Sequence, residues 1–235
     1  MTLPNGTIIF NGPTATLIEN GQYVGRVDWP RQLTQMMCSG GETELCINRI
    51  IFSIGGGGVQ DFTNIGNLLK TMEGKLKLKE SFSALKAAFP MVNGFDFDNE
   101  ENEDVDETVE FCVLLHDVGF REVTFNVYRS QPFWAEAYNR TNALLKGFVT
   151  GFNLQVYSGG AGNDPCTFFN DYPEIKAKNI VYPLICADAS DCGSDNYCPY
   201  KQPGSGSSVK DLVTQWEKEC GIRGEKHHNN QYNIH

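Results

Sequence analysis

The sequence predicts an α/β fold that is built as a parallel (β/α) barrel of the TIM type. Five apolar segments alternate with helical segments, which is the pattern of parallel strands joined by crossover helices. These strand segments lie near residues 50, 94, 125, 154 and 182. Polar and glycine-rich residues gather after the strands, where barrel sites lie, which favours a barrel over its competitor, a doubly wound sheet. The 235 residues fall slightly short of the roughly 250 of a whole barrel, so we expect a barrel that is incomplete at both chain ends.

Ahead of these units, the sequence predicts a hairpin and a helix. Segments 7–10 and 14–18 are rich in β-branched residues and flank a turn at Asn11-Gly12-Pro13. Pro30 suits the first turn of a helix over residues 29–37. Apolar periodicity predicts further helices over residues 61–72, 79–89, 104–119, 131–146, 168–177 and 209–220.

Length and composition indicate one folded domain over residues 1–224 and a polar tail over residues 225–235 without fixed structure. Hydrophobic residues make up 40% of the chain, as in ordinary globular proteins. The net charge is −10 and no long basic run is present, so nucleic acid and anionic membranes are poor partners. No apolar run approaches the roughly 20 residues that a membrane span needs.

The signals for the cellular compartment conflict. Residues 1–6 have neither the basic nor the apolar region of a signal peptide, so we expect no secretion signal in this chain. The eight cysteines permit four disulfides, which are typical of oxidising compartments. Two interpretations stay open: an intracellular protein with free thiols, or an extracellular protein, which is favoured if the N-terminus is incomplete.

An acidic strand carries the strongest functional signal. Phe95 and Phe97 fall on one face of the predicted strand, and Asp96 and Asp98 fall on the other. Glu100 continues the acidic series at a spacing of about 7 Å. Three carboxyl groups at this spacing repel one another, which favours a functional role. A solvated acidic turn and a divalent cation site stay open as alternatives.

Other signals in the chain are weaker. Gly55-Gly56-Gly57-Gly58 follows an apolar strand but lacks the endings of a phosphate-binding loop, so we expect close backbone packing there. An EF-hand is disfavoured because Glu101 stands where that loop needs glycine. For Cys186, Cys192 and Cys198, disulfides or free thiols fit better than zinc. We therefore expect no bound metal and no cofactor.

Three motifs at the ends of predicted strands resemble those of glycoside hydrolase family 18, the chitinases and their relatives. They read Ser53-Ile54-Gly55-Gly56, Asn93-Gly94-Phe95-Asp96-Phe97-Asp98-Asn99-Glu100 and Gln155-Val156-Tyr157. The family has Ser-x-Gly-Gly, an Asp-Gly-x-Asp-x-Asp-x-Glu series and often Gln-x-Tyr at these places. The similarity covers roughly residues 45–224, and the acidic motif is the most specific of the three.

The resemblance implies hydrolysis of β-1,4 bonds in N-acetylglucosamine polymers by substrate-assisted retention, an exception to the two-carboxylate scheme. Glu100 would be the general acid, and Asp98 would orient the substrate's acetamido group. Asp96 would share a proton with Asp98 because adjacent carboxylates resist joint ionisation. Tyr157 would hydrogen-bond the acetamido carbonyl, and Gln155 would line the same subsite.

The resemblance also implies substrate-binding roles for Ser53, Gly55, Gly56, Asn99 and Tyr128, and a saccharide containing N-acetylglucosamine as the partner. The chain departs from the family where Asn93 replaces an aspartate, where Asn99 replaces an aromatic residue and where no tryptophan follows Gly221. A chitinase-like glycan-binding protein without turnover is therefore the alternative. An open barrel edge would also allow self-association.

Overall fold

A computed structural model describes residues 2–11, 15–37, 47–156, 160, 163–178, 180–184 and 209–222. The strands in the described part are β1 (Ile8–Ile9), β2 (Thr16–Glu19), β3 (Gln22–Tyr23), β4 (Ile50–Gly55), β5 (Val92–Asp98), β6 (Glu122–Val127), β7 (Val149–Gln155) and β8 (Val181–Leu184). The helices are α1 (Trp29–Met36), α2 (Asp61–Leu69), α3 (Met72–Ala88), α4 (Val105–Val118), α5 (Gln131–Leu144), α6 (Pro165–Asp171), α7 (Pro173–Lys178) and α8 (Val209–Cys220).

The main sheet has five parallel strands in the order β4-β5-β6-β7-β8. The strands follow one another in chain order, without the reversal that defines a doubly wound sheet. Strands β1 to β3 form a separate antiparallel sheet that packs against α3. The predicted α/β fold with parallel strands is confirmed, whereas closure of the sheet into a barrel is not shown.

One face of the main sheet is apolar and carries the core. Its aromatic side chains alternate with polar ones along the strands and pack against the helices, which buries them almost completely. The ring pairs Phe97–Phe111, Phe125–Trp134 and Phe152–Phe168 have centroid distances of 5.2, 4.9 and 5.4 Å. Trp134 is 1% exposed and thus lies in the core.

The other face of the sheet is polar. In its strand register, Ser53 of β4 lies beside Asp96 of β5, which lies beside Thr124 of β6. One layer nearer the strand ends, Asn126 of β6 lies beside Asn153 of β7. Neighbours in register point to the same side of a sheet. The alternation therefore sorts the phenylalanines to the helix side and the acids and amides to the opposite side.

The gap predicted between the helices over residues 61–72 and 79–89 is wrong. The structure ends α2 at Leu69 and begins α3 at Met72, because Thr71 caps α3 by accepting a 3.0 Å hydrogen bond from the Gly74 N–H. A Cβ at Gly74 would stand 2.1 Å from the Leu68 carbonyl oxygen. Gly74 thus allows close packing at the start of α3 and does not separate two helices. The helix predicted over residues 168–177 is likewise two helices, α6 and α7.

Of the described cysteines, Cys166 and Cys220 form a disulfide that joins α6 to the end of α8. Cys112 is a buried free thiol. The loop cysteines at 186, 192 and 198 and the tail over residues 225–235 lie outside the described residues. Within the described ranges, no helix has the length and apolar character needed to cross a membrane.

The amino ends of the central strands are joined by a partly buried ion pair. Arg49 donates to both carboxylate oxygens of Glu122, at 2.8 and 2.6 Å, and Thr150 donates to the same carboxylate at 2.9 Å. Gly94 of β5 lies directly beside Glu122. A Cβ at Gly94 would stand 1.7 Å from the Glu122 carbonyl oxygen, so only glycine fits at this position.

We expect Gly94→Ala to lower the free energy of unfolding by about 3 kcal/mol or more, because strand β5 would be forced away from β6. Gly147→Ala is the matched control. Gly147 has a φ of +76° but open space around its Cβ position, so alanine there should cost only about 1–2 kcal/mol. Urea denaturation at neutral pH measures both values. Equal losses would contradict the close packing described for Gly94.

Candidate active site

The three acidic residues lie where β5 ends. Asp96 lies within the strand, Asp98 is its last residue, and Glu100 follows two residues later. The glycine loop after β4 lies alongside, because Gly55 pairs with Asp98 in register and the Gly56 N–H donates to the Asp98 carbonyl oxygen at 2.8 Å. The acidic motif and the glycine motif therefore meet at the carboxyl edge of the sheet, as the sequence predicts.

Asp96 is held by three neutral donors. The Asn153 side-chain amide donates to Oδ1 at 2.7 Å, and the Asn126 amide donates to Oδ2 at 3.4 Å. The hydroxyl of Thr124 also donates to Oδ1. Asp96 is 7% exposed, and hydrogen bonds of this kind stabilise a buried carboxylate. This side chain is therefore a fixed acceptor beneath the other two acids.

Asp98 is bound by the amide of Gln155, which donates to Oδ1 at 3.1 Å. Burial, and after it the nearby charges of Glu100 and Asp96, raise the pKa of Asp98 to about 7, although the Gln155 hydrogen bond acts in the opposite direction. Near neutral pH the carboxyl is therefore protonated in a substantial fraction of molecules. Asp98 can therefore take up or release a proton near neutral pH.

Glu100 extends over the glycine loop. One of its carboxylate oxygens lies 3.1 Å from where a Cβ at Gly57 would stand. Burial raises the pKa of Glu100, whereas a hydrogen bond from Gln155 and the charge of Arg129 lower it. The Gln155 amide thus lowers the pKa of both Asp98 and Glu100. A carboxyl group whose pKa is raised by burial is suited to donating a proton.

The glycine loop has a defined shape. Gly55 has a φ of +108°, and a Cβ there would stand 2.1 Å from the Asp98 carbonyl oxygen. The loop is anchored by Asp61, which is 1% exposed and accepts a hydrogen bond from the Gly55 N–H at 3.0 Å. Asp61 also accepts a hydrogen bond from the backbone of Thr2. The close packing expected for the glycines is therefore confirmed at Gly55.

The structure places the remaining predicted residues in different surroundings. Ser53 is exposed on the polar side of the sheet. Asn99 is buried, and its Oδ1 accepts a 2.9 Å hydrogen bond from the Asn102 N–H, so this side chain shapes its own turn. Tyr128 is partly exposed just beyond β6. Tyr157 lies outside the described residues.

Asn93 occupies the first position of the acidic motif, where the family has an aspartate. Its Oδ1 accepts a hydrogen bond from the Ile50 N–H at 3.1 Å. This contact ties the start of β5 to the start of β4. Asn93 thus lies at the opposite end of the strand from Asp98, where it serves strand pairing.

Several residues of the site were not predicted from the sequence, although the strands carry a signal for some of them. Thr124 and Asn126 alternate with apolar residues on β6, and Asn153 does so on β7. A polar residue at every second position of a buried strand indicates a shared polar face. Asn126 is 1% exposed, and its Oδ1 has no hydrogen-bond partner among the described residues.

Asn163 was also missed, and it joins the ends of β6 and β7. Its side-chain amide donates to the carbonyl oxygens of Tyr128 at 2.9 Å and Gln155 at 2.8 Å. Its Oδ1 accepts a hydrogen bond from the Gln131 side chain at 3.1 Å. Asn163 therefore fixes the backbone that carries Gln155. No sequence signal marks this residue, because its partners are distant backbone groups.

We expect Asn163→Asp to lower the free energy of unfolding by about 1–3 kcal/mol, because a carboxylate would face carbonyl oxygens that the amide now satisfies. The control is Asn67→Asp. Asn67 is exposed and accepts a hydrogen bond from Lys70, which a carboxylate accepts equally well. Urea denaturation compares the two variants. Equal stability of both would contradict the role given to Asn163.

The arrangement can support acid–base chemistry by carboxyl groups. Among the described residues, no cluster of three or more His, Cys, Asp or Glu residues is arranged to hold a metal ion. Comparison of the chain with protein-family models, curated proteins and solved structures found no match. The resemblance to glycoside hydrolase family 18 thus rests on the residues of the three motifs.

Proposed function

We propose that this protein is a glycoside hydrolase of the family 18 type, which cleaves β-1,4 bonds of N-acetylglucosamine polymers with retention of configuration. One observation carries the proposal. Gln155 of β7 donates to Asp98 at 3.1 Å, and the same amide lowers the pKa of Glu100. The amide of one motif therefore acts on two acids of another, and the glycine loop of the third borders both.

In the proposed first step, Glu100 protonates the glycosidic oxygen as the bond to the anomeric carbon breaks. The raised pKa of Glu100 supports this role, because a general acid must hold its proton until the transition state. Arg129 donates to the Glu100 carbonyl oxygen at 3.5 Å and to Glu103 at 3.0 Å. The cation thus lies beside the acid without forming a direct ion pair with its carboxylate.

The nucleophile in this proposal is the acetamido oxygen of the substrate itself. Asp98 accepts a hydrogen bond from the acetamido N–H and stabilises the oxazolinium ion that forms. Asp96 stabilises the proton that it shares with Asp98. The three donors on Asp96 support the view that its carboxylate stays fixed during this change. Water then opens the oxazolinium ion, with Glu100 now acting as the base.

A barrel is the fold that we propose around this site. The chain-order strands support it, and so does the position of the acids at the carboxyl edge of the sheet, where barrel enzymes carry their catalytic residues. The apolar face packs against helices, and the opposite face carries the acids and amides. In a barrel, the polar face would line the inside and the apolar face would carry the outer helices.

The test is incubation of the purified protein with N-acetylchito-oligosaccharides of four to six units, followed by chromatography of the products. Shorter N-acetylated oligomers support the proposal. A protein that binds these oligomers and releases no products would contradict the enzymatic proposal.

A glycan-binding protein without turnover is the second candidate, and the tryptophans favour it. Trp134 and Trp216 are 1% and 4% exposed, and Trp29 packs among aromatic residues of the apolar side, 5.1 Å from Phe89. None of these residues provides an indole floor beside Asp98. Sugar binding without products in the incubation above would support this candidate.

A further inference from the structure

A cleft of about 430 Å³ lies next to the acidic residues and is not used by the proposed hydrolytic steps. It lies between the end of β6, the start of α5 and the end of α6. Its volume falls within the roughly 300–1,000 Å³ of small-molecule sites. Residues that line it include Tyr128, Arg129, Gln131, Asn163, Asp171 and Tyr172.

Two of the lining residues are tyrosines whose rings are held in place. The Tyr172 ring packs against Phe168 with centroids 5.1 Å apart, and the Arg129 guanidinium lies 6.0 Å from the centroid of the Tyr128 ring. Both tyrosines are partly exposed. Aromatic faces of this kind bind the C–H faces of pyranose rings, and they attract cations. Two tyrosines in one cleft therefore suit a sugar, and in particular a cationic one.

The charge of the cleft is set by Asp171. Its carboxylate forms no hydrogen bond or ion pair with any described residue, whereas Arg129 is paired with Glu103 at 3.0 Å. Asp171 is the last residue of α6, where a negative charge opposes the helix dipole. This carboxylate therefore does not stabilise the helix that carries it, and among the described residues it adds to the cleft a negative charge that no cation neutralises.

The same negative charge acts on Tyr172, the residue that follows Asp171. Burial raises the pKa of the Tyr172 phenol, and the charges of Asp171 and Glu174 raise it further. The phenol thus stays neutral and can donate a hydrogen bond. Gln131 and Asn163 bond to each other through Nε2 and Oδ1, and no hydrogen bond to a described residue occupies Oε1 of Gln131. The cleft therefore offers a ligand the Asp171 carboxylate and Oε1 of Gln131 as acceptors and the Tyr172 phenol as a donor.

The cleft is continuous with the proposed catalytic residues through two of its own residues. Arg129 donates to the Glu100 carbonyl oxygen at 3.5 Å, and Asn163 donates to the Gln155 carbonyl oxygen at 2.8 Å. If Asp98 holds the sugar whose acetamido group attacks, the sugar on the other side of Glu100 is the leaving one. The cleft lies on the side of Glu100 that Arg129 contacts.

We propose that this cleft binds the leaving-side sugar unit and prefers one with a free amino group, as in a partly deacetylated N-acetylglucosamine polymer. The ammonium group would pair with Asp171 and face the tyrosine rings. This inference rests on the proposed function for its place in the reaction. Binding of an amino sugar in the cleft does not depend on turnover, so the two can be tested separately.

The experiment uses the glucosamine disaccharide and its N,N′-diacetyl form as probes, titrated into the full-length protein and followed by calorimetry or NMR. We expect the free disaccharide to bind more tightly, and Asp171→Asn to weaken its binding about 3- to 5-fold, the range of an exposed ion pair. Tyr172→Ala should weaken both probes, and Tyr172→Phe should restore the binding of the diacetyl probe. Tyr23→Ala is the matched control, because Tyr23 also packs its ring against one phenylalanine, Phe89, and does not line the cleft.

Each outcome decides a separate part of the inference. Unchanged affinity in Asp171→Asn, or equal affinity of both probes, would overturn the preference for a free amino group. Binding that is absent, or that Tyr172→Ala leaves intact, would overturn the cleft as a sugar site. Hydrolysis of N-acetylated oligomers with unaltered KM in Tyr172→Ala would leave the proposed function standing and remove this cleft from it. Binding of the probes without any hydrolysis would support the cleft as a sugar site and contradict the proposed function.

Discussion

Glu100→Gln is expected to lower kcat on N-acetylchito-oligosaccharides about 10²- to 10⁴-fold, the usual contribution of a general acid. Glutamine has nearly the same shape as glutamic acid but cannot transfer a proton to the leaving oxygen. The pKa of Glu100 is raised by burial, so the neutral glutamine should be tolerated by the fold. Steady-state rates of the native protein and the variant, measured at one pH, give the ratio.

A substrate with a good leaving group makes this prediction specific. A 4-nitrophenolate leaves without protonation, so the loss caused by Glu100→Gln should be much smaller on a nitrophenyl glycoside than on an unmodified oligomer. The control is Glu136→Gln, an exposed position on α5, which should change neither rate. Equal losses on both substrates, or no loss at all, would contradict the assignment of Glu100 as the acid.

Asp98→Asn is expected to abolish turnover and to stabilise the protein at alkaline pH. Burial raises the folded-state pKa of Asp98 to about 7 from 3.8, so the folded state holds this proton more tightly than the unfolded state does. The contribution of this proton to the free energy of unfolding is therefore fully present below about pH 4. It falls as the pH rises through 7 and is lost above that value. The loss amounts to at most about 4 kcal/mol.

Asparagine has no proton to lose and keeps an oxygen for the 3.1 Å hydrogen bond from Gln155. Urea denaturation at pH 4.5 and pH 8 should therefore show a smaller fall in stability for Asp98→Asn than for the native protein. Asp117→Asn, at an exposed position on α4, should follow the native protein. A native-like fall in the Asp98→Asn variant would show that this carboxyl is not the buried group described.

A gain in stability together with a loss of turnover is the expected pattern for a functional residue. Three acids at one strand end are held there against their mutual repulsion, and the fold would be more stable without one of them. A purely structural role for Asp98 predicts the opposite, because asparagine would then weaken the fold. The two measurements on this single variant therefore distinguish function from packing.

Much of the fold could be predicted because local patterns determine it. Alternating phenylalanine and aspartate on β5 fixes which face packs against helices, and the same register brings Gly55 beside Asp98. Strand ends in a parallel sheet lie at one edge, so Gln155 and Asp98 meet as their positions predict. These features follow from residues close together in the chain or from the geometry of parallel strands.

The rest could not be predicted because it depends on contacts between distant residues. The Asn163 amide satisfies the carbonyl oxygens of Tyr128 and Gln155, and no spacing marks such a contact. Pairing of Cys166 with Cys220 bridges 54 positions, and eight cysteines allow many pairings. At Gly74, close packing against Leu68 outweighs the weak helix propensity of glycine.

The configuration of the first product tests the central claim most directly. Proton NMR during hydrolysis of N-acetylchitohexaose should show the β-anomer forming first, because the acetamido oxygen and then water attack in turn. An oligomer without acetyl groups should release no product, since it lacks the nucleophile. Initial formation of the α-anomer, or equal hydrolysis of the deacetylated oligomer, would contradict substrate-assisted catalysis by Asp98 and Glu100.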